Sequence, residues 1–255
     1  MNDFHVHTAF CDGKNTAEET VLAGIGLNMK KIGLVYHSYV PFDAESCIKY
    51  GGEKEFSDEI DRLREKYGGK IEILKGVEQD YFSDTFDKNA DYVIGSVHYI
   101  KSGGKYYSVD ESRGLFEKTV KTVFDGDVYA FAEEYFKLVS SVADRTNADI
   151  IGHFDLISKF NGGGDLFDEN NARYKNAAYK AIEKLIKCDC LFEINTGAIS
   201  RGYRKTPYPN ADFINKISSL GGKFILSSDA HSAENLCFGF DDIKINNENE
   251  NFKAV

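Results

Sequence analysis

Tryptophan is absent from this chain, proline occurs three times and methionine twice in 255 residues. With so little proline there is no Pro-rich linker. No repeat or low-complexity block interrupts the chain either, so residues 1–255 read as a single domain. Cysteine is scarce as well: Cys11, Cys47, Cys188, Cys190 and Cys237 form an odd set. That argues against a disulfide framework in a chain of this size and fits a reducing, cytoplasmic setting. Cys188 and Cys190 have no second cysteine pair to complete a zinc site and read as core or helix-end packing. No apolar run approaches the ~20 residues a membrane helix needs. The first residues lack the basic-then-apolar order of a signal peptide. Basic residues are outnumbered, 31 against 41 acidic, for a net charge of −10. That balance argues against nucleic acid and against an anionic membrane surface as partners.

What the chain does have is alternation of two patterns. Seven short segments rich in β-branched and aromatic residues read as buried strands: 3–7, 31–36, 71–77, 91–97, 149–152, 190–195 and 223–228. Between them lie amphipathic helical patterns. Thr16-Ala17-Glu18-Glu19 opens the first with a capping box. Residues 56–67 form another, stopping at Gly68-Gly69. Patterns over 112–124, 128–145, 171–188 and 211–220 complete the set. Near-continuous apolar strands alternating with helices predict a parallel sheet covered by helices, and seven such units suit a closed or nearly closed β/α barrel. The alternative, a doubly wound open sheet, lacks the Gly-x-Gly-x-x-Gly that would mark a dinucleotide site.

All six histidines fall at the ends of these strands. His5 and His7 are two apart on the first strand, so both rings face one side. His37 follows the second strand, His98 the fourth, His153 the fifth and His231 the seventh. Strand three ends in Glu78, and Asp12 and Asp229 lie in the loops beside them. The carboxyl ends of barrel strands share one face, where active sites lie. One imidazole at a strand end is unremarkable, but all six together with three carboxylates point to a metal centre.

The ordered series His5-Val6-His7-Thr8, Asp12-Gly13, His37, Gly76-Val77-Glu78, Gly95-Ser96-Val97-His98, Gly152-His153 and Ser228-Asp229-Ala230-His231 resembles the PHP (polymerase and histidinol phosphatase) family. Within it the series is most similar to the stand-alone histidinol-phosphate phosphatases. The resemblance spans residues 1 to about 240. It implies a distorted (β/α)7 barrel with the active site at the C-terminal ends of the strands, holding three divalent metals. His5, His7, Glu78 and Asp229 would hold one ion. Glu78 would bridge to a second, shared with His98 and His153, and Asp12, His37 and His231 would hold the third. The mixed nitrogen and oxygen ligands suit zinc, iron or manganese.

Three divalent ions set against three carboxylates leave about +3, which a phosphate monoester dianion and one hydroxide would neutralise. The expected activity is hydrolysis of a small phosphorylated substrate, L-histidinol phosphate in histidine biosynthesis. The expected nucleophile is a water ionised by the metals, with Glu78 linking the pair that carries it. Asp229 or His231 would pass a proton to the leaving alkoxide. Arg201 and Arg204, in the basic loop after strand six, and Lys159, after strand five, are the candidate phosphate contacts. Ser96 joins them at the mouth. The Gly-rich runs 101–107 and 161–165 read as loops, either lids or ordinary surface. Alternative readings keep a metal centre and change the substrate: a sugar, nucleotide or phosphotyrosyl ester, or the neutral substrate of an amidohydrolase-type barrel. The polar tail from Asp241 carries no functional pattern.

Overall fold

The computed structural model describes residues 1–243; most of the C-terminal tail lies outside the described residues. Seven parallel strands form one sheet, in the order β1 (Asn2–His7), β2 (Lys31–Val35), β3 (Glu72–Asp80), β4 (Tyr92–Ser96), β7 (Ile150–Ile151), β8 (Leu191–Asn195) and β9 (Phe224–Ser227). The antiparallel hairpin β5 (Tyr99–Ser102) and β6 (Lys105–Ser108) stands apart from this sheet. The sheet curls until its last strand meets its first. Val6 and Ala230 form an isolated parallel bridge, with the His7 N–H on the Ala230 carbonyl at 2.8 Å. The result is the nearly closed, distorted (β/α)7 barrel.

Helices α1 (Ala17–Gly26), α2 (Glu53–Tyr67), α3 (Arg113–Val123), α4 (Val128–Val139), α5 (Val142–Thr146), α6 (Ala172–Leu185), α7 (Gly197–Ser200) and α8 (Ala211–Ser219) complete the fold. None is long and apolar enough to cross a membrane. α1 starts as its sequence predicts: Glu19 N–H donates to Thr16 Oγ1 at 3.2 Å, and Thr16 N–H to Glu19 Oε2 at 2.9 Å. The helix expected over 128–145 is two helices. Ser140 and Ser141 turn their hydroxyls back onto the Lys137 and Leu138 carbonyls at the break, as serine does when it competes with helix hydrogen bonding. The Gly-rich run expected as a loop at 101–107 is the β5–β6 hairpin. Gly103 and Gly104 supply the two positive φ angles, +55° and +78°, that a tight two-residue hairpin turn needs.

One small apolar cluster draws a residue from every strand of the sheet: Phe4, Val35, Leu74, Tyr92, Ile94, Ile150, Leu191 and Ile225. A group that touches all seven strands is the barrel interior. Tyr92 spans it and donates to the Phe4 carbonyl at 2.5 Å. Gly33 and Gly76 face it from β2 and β3, where a Cβ would collide with its ring. Larger clusters pack between the sheet and the helices. Polar side chains lie on top of the interior layer, toward the strands' carboxyl ends. The pairing of β1 with β2 slips by one residue between Asp3 and Val6. This bulge lets neighbouring Phe4 and His5 both face inward, the re-aiming that bulges accomplish.

Candidate metal centre

The nine side chains named from the sequence arrive from around the barrel rim. His5 and His7 stand on β1 and Glu78 on β3; Asp12, His37, His98, His153, Asp229 and His231 follow the strands' ends. Glu78 is at the centre. Its Oε2 lies 3.2 Å from His5 Nε2, 3.3 Å from His7 Nε2 and 2.9 Å from His37 Nδ1. Its Oε1 lies 3.1 Å from His98 Nε2 and 2.9 Å from His153 Nε2. The two oxygens therefore serve two separate sets of rings. Asp229 Oδ1 joins the first set, 3.8 Å from His5 Nε2 and 3.6 Å from His7 Nε2. Asp12 Oδ2 lies 3.5 Å from His37 Nε2 and 3.1 Å from His231 Nε2. The His7 ring stacks on both His37 and His231, with centroids 4.4 and 4.2 Å away.

The donor set fits a divalent cation. Three groups of ligand atoms lie within 4.8 Å of one another: His7, Asp12, His37 and His231; His5, His7 and Asp229; His37, Glu78 and His98. Glu78 Oε2 is buried and has no hydrogen-bond partner among the described residues, although three ring nitrogens surround it. The Nε2 atoms of His5 and His7 face each other at 3.1 Å. Imidazole nitrogens and carboxylate oxygens are what borderline transition metals take. The carboxylates are held ionised. Against the effect of burial, Glu193 and Glu78 raise His5, and Glu78 and Asp12 raise His37, above the ordinary imidazole range, so a cation would displace those protons on binding. Burial opposes ionisation of Glu78, but His37, His5 and His98 overcome it and hold the carboxyl well below its ordinary range. Burial likewise opposes charge on Asp229, and Arg201 and then His5 reverse it. Burial, His231 and His37 push His7 down to about 3, so this ring is the neutral form that binds a metal.

Asp229 reaches the centre through a left-handed bend, φ +49°, a conformation that non-glycine residues adopt at a cost of order 1–3 kcal/mol and mostly at functional sites. Arg201 secures it. Its Nη2 donates to Asp229 Oδ2 at 2.9 Å and its Nη1 to the Asp229 carbonyl at 2.9 Å, beside His231 Nδ1. Gly197 is glycine because a Cβ there would press on both Arg201 and Asp229.

Of the four candidate substrate contacts, Arg201 stands at the metal centre. Lys159 lines the adjoining cleft of about 220 Å³ together with Asp12, His37, His98 and Tyr99, and its ammonium is bound to Asp110 Oδ2 at 3.0 Å. Arg204 and Ser96 are placed elsewhere. Arg204 is buried below the rim, donating to the Ser158 carbonyl at 2.9 Å and pairing with Glu169. Gly202 bends the chain at φ +75° and separates it from Arg201. Ser96 is buried against Gly152, where a Cβ would strike its hydroxyl, and it does not line the cleft.

Sequence reasoning missed two buried carboxylates. Glu193 Oε2 accepts His5 Nδ1 at 2.9 Å. Asp80 Oδ2 accepts His98 Nδ1 at 3.1 Å. The signal was the strand period: Asp80 is two residues from Glu78, and Glu193 two from Asn195, so each pair shares the inward face. A glutamate inside the apolar strand Leu191–Asn195 is itself a sign of a buried partner.

The PHP domain family model matches residues 3–197. Among curated proteins, the "Probable histidinol-phosphatase" of Schizosaccharomyces pombe is 30% identical over 188 residues, 69% of this chain and 59% of that protein. This chain thus spans about three-fifths of that relative. The "Probable histidinol-phosphatase" of Deinococcus radiodurans is 29% identical over 261 residues, 94% of this chain and 90% of its own. A Listeria monocytogenes structure solved as a histidinol phosphatase candidate superposes with a TM-score of 0.84 at 20% identity, over 96% of this chain and 100% of the other. The Lactococcus lactis histidinol phosphate phosphatase, solved with zinc, L-histidinol and phosphate, gives a TM-score of 0.61 at 20% identity over 91% and 86% of the two chains. At these identities the two structures establish the shared barrel.

Proposed function

The chain belongs to the PHP domain family, and from that premise we propose that it is a metal-dependent phosphomonoesterase that releases phosphate from L-histidinol phosphate. Residues 1–255 act in this reading as one catalytic domain. The observation that carries it is the division of Glu78, whose Oε1 and Oε2 face two different sets of imidazoles at 2.9–3.3 Å. A carboxylate placed in this way would be shared by two cations. His5, His7, Glu78 and Asp229 would hold one ion, Glu78, His98 and His153 a second, and Asp12, His37 and His231 a third. The zinc in the Lactococcus lactis structure favours zinc here. Bound ions of this kind act as Lewis acids and ionise water near neutral pH.

The chain's own side chains supply positioning and charge. Arg201, fixed by Asp229, holds a permanent positive charge at the rim, where a phosphoryl oxygen would approach. Lys159 lines the adjoining cleft, its ammonium paired with Asp110, and would meet the substrate's outer part. Asp229 or His231, whose Oδ1 and Nδ1 lie 3.5 Å apart, would take up the proton given off by the attacking water and return it to the leaving alkoxide. The interior apolar layer beneath the centre excludes water from below.

The test is phosphate release from L-histidinol phosphate and from p-nitrophenyl phosphate, each with and without a chelator. The expected result is chelator-sensitive release with kcat/KM for L-histidinol phosphate higher by roughly a hundredfold, the scale that a shaped pocket provides. Protein that holds divalent ions and releases no phosphate from either compound would overturn the proposal.

A further inference from the structure

An imidazole that binds a metal through one ring nitrogen carries its proton on the other, and the group accepting that proton decides which nitrogen faces the ion. Glu193 and Asp80 occupy that position for two rings of the centre. Glu193 is fully buried on β8. Its Oε2 accepts His5 Nδ1 at 2.9 Å, while its Oε1 accepts the His153 main-chain N–H and, at 2.9 Å, Asn195 Nδ2. Asp80 on β3 uses Oδ2 for both His98 Nδ1 at 3.1 Å and the His98 main-chain N–H at 3.2 Å. In each ring the other nitrogen, Nε2, points at Glu78: His5 toward Oε2 and His98 toward Oε1.

We propose that Glu193 and Asp80 are positioning residues that fix the Nδ1–H form of His5 and His98 and so present Nε2 to the cations on the two sides of Glu78. The assignment rests on the cage reading above and goes beyond it by naming what controls each half. Asp80 governs only the half around Glu78 Oε1. Glu193 governs His5 on the Oε2 side and also reaches across to His153 through the main chain. That reach matters because His153 Nδ1 has no hydrogen-bond partner of its own among the described residues. A carboxamide at position 193 keeps the size but has one acceptor oxygen. If that oxygen stays on His5, the amide NH2 opposes the His153 N–H. If it turns to His153, the NH2 opposes His5 Nδ1 and drives the ring proton onto Nε2, where it blocks the metal.

The experiment is titration of the metal-stripped full chain with cobalt(II) against a chromogenic chelator, recording the visible cobalt spectrum, for wild type, Glu193→Gln and Asp80→Asn. Each variant is expected to bind cobalt roughly 10–100-fold more weakly, the usual effect of losing such a partner. The spectral change should be larger in Glu193→Gln, which touches both halves. The metal-free melting temperatures are expected to stay within roughly 5 °C of wild type, about 1–2.5 kcal/mol for this size, which separates positioning from general support. Wild-type affinity and an unchanged spectrum in both variants would overturn the assignment while leaving the cage intact. If Glu193→Gln does not fold, Asp80→Asn alone decides by the same criterion. A wild-type chain that binds no cobalt would instead overturn the cage, and this assignment with it.

Discussion

Glu78 has no exposed side-chain surface, yet it is surrounded by five ring nitrogens, an environment in which an isolated carboxylate is costly unless cations share it. Glu78→Gln removes the charge and one acceptor together. Phosphate release from L-histidinol phosphate should fall by more than roughly a hundredfold, the upper end of what supporting residues alone contribute, and bound metal should fall with it. Activity within tenfold of wild type would refute the role. Asp155 supplies a second prediction, of a different kind. Burial pushes its carboxyl up to about 7 against the pull of Arg204. Its Oδ2 accepts the Asn210 N–H at 3.1 Å, and its Oδ1 has no partner among the described residues. The folded chain therefore keeps a proton that the unfolded chain releases above about pH 4. The associated stability is fully present below that value and is lost as pH rises through about 7. Asp155→Asn should flatten this slope, so that urea midpoints fall less between pH 5 and 8 than in wild type; an equal or steeper fall contradicts it. At this scale the histidines were legible because each ends a strand pattern. Arg204 was not, because three residues of spacing from Arg201 do not reveal that the bend at Gly202 turns it into the protein.

At the level of elements, the alternation of strand and helix was plain, since strands buried on both faces are apolar throughout. The bulge in β1 was hidden. Nothing in Asp3-Phe4-His5 announces that two adjacent side chains face inward, because the slip depends on pairing with β2. The hairpin β5–β6 was hidden for a related reason: its glycines also suit a loop, and its partner strand is only four residues long. Two substitutions test how individual elements are set. Thr16→Ala removes the side-chain half of the α1 capping box and should lower stability by about 1 kcal/mol in urea unfolding, with no change in turnover; a loss below about 0.3 kcal/mol would mean the cap is idle. Gly76→Ala places a methyl against the Tyr92 ring inside the barrel. The overpacking should cost about 1–3 kcal/mol or more, and Tyr92→Phe should not relieve it, because the nearest atom to the new methyl is a ring carbon.

Across the whole molecule, every strand of the sheet places a side chain at or beside the metal centre, β8 through Glu193 and the others through the nine named residues. Ligands so far apart in sequence meet only when the barrel has closed, so cation binding and folding are coupled. The sequence carried the number of strands and their common direction. The closing contact between Val6 and Ala230 follows from the three-dimensional path and has no local pattern. The acidic balance of the chain, net −10, describes its surface as a whole and not the centre, where ions would set the local charge. The most direct measurement of the central claim is elemental analysis of the purified, active chain, counting divalent ions per polypeptide alongside the rate of phosphate release. The account predicts about three ions per chain, with activity disappearing as a chelator removes them and returning when zinc is restored. A chain that hydrolyses the ester at full rate with no divalent ion bound would contradict it.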